Sequence, residues 1–142
     1  MNREVALRIV LALVGLAHLA LGMIANLAGP DSLVRVVSGF YGATLEMTPA
    51  LHHVVRILGV FMIGIGMMAL WACSDPRRNQ VVILGLIAIL ILRVLQRIML
   101  AQEIASTFNI STTRLYTQAA FFLATAIALF LLRPRPISQP RG

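Results

Sequence analysis

At 142 residues, 59% hydrophobic and only 12% charged, the chain carries more apolar surface than a water-soluble domain of this size can bury. Aromatics make up 6%, so the excess is aliphatic and suits contact with acyl chains. The net charge is +7 and all twelve basic residues are arginines flanking or entering the apolar runs, which points to a membrane surface as their partner and away from nucleic acid.

Four segments reach the length needed to span a bilayer, at about 9–28, 54–73, 81–100 and 115–132. Lipid offers backbone N–H and C=O groups no partners, so segments this long must be helices. The expected fold is an all-α integral membrane four-helix bundle, a single transmembrane domain over 1–142. The first segment follows Arg3 and Arg8 as a signal peptide would, but its twenty apolar residues exceed a typical h-region, so a retained span is expected. Gly29-Pro30 ends that helix. Asp31 is positioned to cap a short amphipathic interfacial segment, residues 32–38, closed by Gly39. The second span opens with Arg56, and a polar turn from Ser74 to Asn79 leads into the third. The third is predicted to run on to about residue 107, and Ser111 or Thr112 then caps the fourth. Pro134 and Pro136 break the helix, leaving 133–142 as a tail. No internal repeat stands out.

Small residues mark expected helix contacts. Ala120, Ala124 and Ala128 line one face of the fourth span, while Gly59, Gly64 and Gly66 do similar work on the second. Gly15, His18, Gly22 and Asn26 share a stripe on the first. The single Cys73 excludes an internal disulfide and a multi-cysteine metal site, and no metal site is expected.

Arginine bias sets the expected orientation. With the N-terminus inside, Arg3, Arg8, Arg77, Arg78, Arg133, Arg135 and Arg141 face the cytoplasm, and Arg35, Arg56 and Arg114 face outward. Both termini, including the 133–142 tail, are therefore expected in the cytoplasm of a bacterial inner membrane. At ~1.5 Å rise per residue, Arg93 lies ~18 Å and Arg97 ~24 Å along the third helix, in its outer half. His52, His53 and Arg56 reach a similar depth, as do Asn26 and Tyr116, with Glu103 near the mouth and Glu46 above it. Arg56, Arg93, Gln96, Arg97, Glu103, His53 and Tyr116 thus form a candidate electropositive ligand site for a carboxylate, a phosphate headgroup or a quinone carbonyl. The alternative is that these arginines anchor the helix at the interface. His18, about 14 Å into the first helix, is the candidate heme ligand, with hydrogen bonding to a neighbouring helix as its other role. No nucleophile elbow, phosphate loop or dinucleotide fingerprint occurs, and no catalytic residue is assigned.

The run from Val54 to Gly66, the Asp75-Pro-Arg-Arg turn and Arg93-Val-Leu-Gln-Arg97 resemble the small four-helix bacterial membrane proteins of the DoxX-like and BphX-like groups, over roughly residues 5–133. That resemblance implies the bundle fold and carries over no catalytic residues. The functional expectation is a non-enzymatic accessory or stabilising subunit of a larger membrane assembly or a homo-oligomer, without a resident cofactor and in contact with membrane lipids. A lipid- or anion-binding protein or small transporter using the arginine site is the first alternative, and a redox subunit handling quinone or heme b the second.

Overall fold

The computed structural model describes residues 2–44 and 46–134, so Arg135, Arg141 and the expected tail from residue 135 onward lie outside the described residues. Six helices follow in order: α1 (Arg3–Leu27), α2 (Pro30–Tyr41), α3 (Pro49–Ser74), α4 (Gln80–Met99), α5 (Ala101–Phe108) and α6 (Thr112–Leu132). Of these α1, α3, α4 and α6 are long and apolar enough to cross a membrane. Only 17% to 28% of each span's apolar window is buried inside the protein, so acyl chains must cover the rest. The fold is the expected all-helical four-span bundle. Its element order also repeats, a span, a short amphipathic helix and a span, twice over. The linear sequence hides this because the two short helices share no obvious pattern.

Helix ends follow local chemistry. Asn2, Thr48 and Ser111 cap α1, α3 and α6, their side-chain oxygens accepting from the backbone N–H of Glu4, Leu51 and Arg114. At α2 the boundaries differ from expectation. Pro30, with φ already helical and no N–H to lose, occupies the first turn, so the helix starts before Asp31, which sits inside that turn near the positive dipole end. The helix also runs through Gly39 and stops at Gly42, whose φ of 71° makes the left-handed cap and whose N–H donates to the Ser38 carbonyl. The third span likewise does not continue to residue 107. It is interrupted at Leu100 (φ −106°, ψ 19°), and α5 begins at Ala101. Ile104, Ala105 and Phe108 of α5 pack against Ile110 and Leu115, burying apolar surface there.

Consecutive spans pair. Along α1 and α3 the glycines meet in antiparallel register, Gly15 with Gly66 and Gly22 with Gly59. A Cβ at Gly22 would stand 2.7 Å from the Gly59 carbonyl oxygen, and one at Gly66 would stand 2.8 Å from that of Gly15. The backbones thus touch, as small-residue faces permit in lipid. Gly64 departs from the expected role: a Cβ there meets nothing within 4 Å, so it faces outward. The α4–α6 seam differs. Ile83, Ile87, Leu90 and Val94 of α4 face Leu115, Ala119, Ala126 and Leu129 of α6, and both sets recur at near-heptad spacing. The alanine stripe expected on the fourth span is therefore not the buried one. Ala120 and Ala124 are exposed and Ala128 is half-buried, because the face one residue earlier supplies the leucines that fill the core.

Two apolar clusters result. One, built on Leu7, Leu11, Ala69, Ile83, Leu90 and Leu129, fills the end of the bundle that carries the N-terminus and the α3–α4 turn. The other joins α2, α5 and the start of α6 through Val37, Tyr41, Phe108, Ile110 and Leu115. A polar layer separates them.

Candidate functional site

The polar layer is built on α4. Arg93 and Arg97 are one helical turn apart and both half-buried. The Phe122 ring of α6 lies against both, 4.7 Å from the Arg93 guanidinium carbon and 5.4 Å from that of Arg97. Tyr41, at the end of α2, lies 5.9 Å from Arg97. Ring faces attract cations by about 0.5–2 kcal/mol, more as water is removed, so two aromatics hold these heads inward.

Each arginine has one neutral hydrogen-bond partner. His18 is 8% exposed, and its Nδ1 lies 2.8 Å from the Val14 carbonyl oxygen. A carbonyl only accepts, so Nδ1 carries the proton and the Nε2 lone pair is left to accept from Arg93 Nη1 at 3.4 Å. Arg97 Nη1 donates to Gln118 Oε1 at 2.6 Å, and Gln118 Nε2 donates onward to the Phe40 carbonyl at 3.5 Å. Arg114 donates to the Gly39 carbonyl at 3.0 Å, so α6 satisfies two carbonyls at the C-terminal end of α2 and holds that helix over the layer. The Thr44 N–H donates to the Phe108 carbonyl at 3.0 Å, tying the α2 side of this roof to α5.

Charge in the layer is not cancelled. Among the described residues the ion pairs join Glu4 to Arg8 at 3.1 Å and to Arg77 at 3.3 Å, at the opposite end of the bundle. Among the described residues, Arg93 and Arg97 have only neutral acceptors. Beside them opens a cavity of about 250 Å³ with Arg93, Gln96 and Arg97 on one wall. The other walls are apolar or aromatic: Val37, Tyr41, Ala43, Ile104, Phe108 and Ile110. The arrangement offers charge and hydrogen-bond donors at one side and apolar contact at the other.

Three of the seven residues expected at one site, Arg93, Gln96 and Arg97, do meet at this cavity. The others do not line it. Arg56 donates through Nε and Nη2 to the Asn26 carbonyl, at 3.3 and 3.1 Å, and so closes the C-terminal end of α1. His53 and Glu103 are exposed, and Glu103 forms no ion pair with either arginine. Tyr116 is 53% exposed because it follows the seam residue Leu115 and points about 100° away from it. Helix rotation, which depth alone does not fix, separates these side chains. His18 turns its Nε2 toward Arg93 and not toward a second histidine. Gln118, Phe122 and Tyr41 join the layer from outside the expected set. Gln118 had a signal, as the one amide in the fourth apolar run; the two rings had none beyond helical spacing.

Four apolar spans enclosing an arginine-rich layer define a small multi-pass helical membrane protein. More narrowly, the chain belongs to the family described as Domain of unknown function (DUF4345), whose model matches residues 6–99. That match covers α1 to α4 and includes both layer arginines; it does not extend to the DoxX-like or BphX-like groups. No curated protein and no solved structure matches the chain.

Proposed function

We propose that the protein is a non-enzymatic, multi-pass protein of the bacterial inner membrane that holds the anionic headgroup of a membrane amphiphile against Arg93 and Arg97. One observation carries the proposal: two half-buried guanidiniums line a 250 Å³ cavity, and their hydrogen-bond partners are neutral. An arginine at the centre of an inserted helix costs about 2.5–3.5 kcal/mol, and a bound anion offsets that cost where a neutral acceptor does not. A quinone carbonyl would accept a hydrogen bond and leave both charges standing, so charge favours the anion. The orientation with both termini cytoplasmic is supported by Arg3, Arg8, Arg77, Arg78 and Arg133 at one end against Arg35, Arg56 and Arg114 at the other.

Native mass spectrometry after mild-detergent extraction tests the site. Anionic lipid should be retained by the wild type and lost in Arg93→Gln and Arg97→Gln, with insertion unchanged. A wild-type spectrum without bound anionic amphiphile would sink the proposal. The same spectra address an accessory or homo-oligomeric role, supported by the exposed Ala120 and Ala124 on α6, which permit close approach of another helix. That role requires a stoichiometric protein partner or a second copy, and a lone monomer in every detergent counts against it.

A further inference from the structure

The charge count at the layer narrows the ligand beyond "anionic". We infer that the headgroup is a phosphomonoester dianion carried on an apolar chain, an inference that rests on the site reading above. Arg93 and Arg97 stand one turn apart on α4 and both line the cavity, so a single small headgroup there can meet both. Each has one nitrogen committed to a neutral acceptor, His18 Nε2 or Gln118 Oε1, which orients the fork without reducing its charge. Both arginines line the cavity, and among the described residues no carboxylate pairs with either.

Ligand classes differ in how well they meet this pair. A carboxylate brings one charge and two oxygens, enough for one bidentate arginine, and leaves the second cation uncompensated. A phosphodiester brings one charge on two free oxygens. A phosphomonoester brings a charge of about −1.5 to −2 and three strong acceptor oxygens, which matches two guanidiniums with an oxygen left for the Gln96 amide on the same wall. The remainder of the cavity fits a chain and not a second polar group. Val37, Ile104, Phe108 and Ile110 line it, and the site sits among spans whose outer faces are covered by acyl chains. Inorganic phosphate satisfies the arginines and leaves that apolar wall unused.

The test is a ligand series on the full-length protein in nanodiscs, read as retained ligand. It uses phosphatidic acid, phosphatidylglycerol and oleate in a phosphatidylcholine background, and separately inorganic phosphate. Phosphatidic acid is expected to bind at least about tenfold more tightly than either singly charged lipid, and to lose at least about tenfold in Arg93→Gln and in Arg97→Gln. Equal retention of oleate or phosphatidylglycerol, still dependent on the arginines, overturns the dianion and leaves the anionic-amphiphile site standing. Inorganic phosphate binding as tightly as the lipid overturns the apolar chain. Arginine-independent retention of every lipid overturns both readings together. Should the arginine variants fail to fold, the wild-type series still decides the headgroup, and Gln96→Leu, at an exposed position, still tests the third oxygen's donor through a smaller loss in phosphatidic acid binding.

Discussion

Gln118 is the side chain on which the polar layer turns. Its amide oxygen accepts a hydrogen bond from Arg97 and its amide nitrogen donates to the Phe40 carbonyl, so one residue of α6 orients a cation and pins the end of α2. Two substitutions separate those duties. Gln118→Leu removes both bonds and leaves a half-buried guanidinium without its acceptor, an expected loss of about 1.5–3 kcal/mol in unfolding free energy, measured in mixed micelles. Gln118→Glu keeps an acceptor beside Arg97 and adds the counter-charge the site lacks. It also loses the donor to the Phe40 carbonyl, so stability should fall less than in Gln118→Leu while retention of anionic lipid falls, and undiminished retention would show that the charge of Arg97 does not draw the ligand. His18 plays the parallel part for Arg93. The Val14 carbonyl fixes which ring nitrogen bears hydrogen, and that choice makes His18 an acceptor.

At the scale of elements, the two helix pairs are assembled by different means, and glycine substitutions distinguish buried from exposed positions. Gly22→Ala places a Cβ 2.7 Å from the Gly59 carbonyl oxygen, on rigid backbone, and should cost about 1–3 kcal/mol. Gly64→Ala meets nothing within 4 Å and should be neutral or gain up to about 1 kcal/mol through better helix propensity. Equal effects at the two positions in the same micelle titration would contradict the α1–α3 register. The sequence made the spans legible because length and hydropathy decide them: each apolar run lies within an observed helix apart from a terminal residue, and only the extension of the third to about residue 107 is interrupted, at Leu100. Position along each helix was legible too, since rise per residue is fixed. Facing was not. The choice between the Ala120–Ala124 face and the Ala119–Ala126 face of α6 turns on a single residue step, and both faces are apolar. A water-soluble helix marks its outer face with polar residues, but lipid removes that marker. The same ambiguity drew Arg56, His53, Glu103 and Tyr116 into one expected site with Arg93 and Arg97.

Across the whole molecule, each span–short helix–span unit contributes one side of the cavity. The first supplies Val37 and Tyr41 from α2, with Ala43 just beyond it; the second supplies Arg93 and Arg97 from α4 and Ile104 and Phe108 from α5. His18 crosses from the first unit to Arg93 in the second, and Gln118 returns from the second to Phe40 in the first. The layer is in this sense a seam between halves, and the apolar clusters above and below it keep the halves in register.

The tight turn between α3 and α4 joins units whose closest helix partners lie inside each unit. Each unit is a helical hairpin able to satisfy its own backbone in lipid, so chain continuity at that turn is dispensable in principle. Two separately translated pieces, cut between Arg77 and Arg78, are expected to insert independently and to reassociate in the bilayer when co-expressed. Lipid capture should return with the pair and be missing from either piece alone, since one brings the cations and the other part of the apolar wall that faces them.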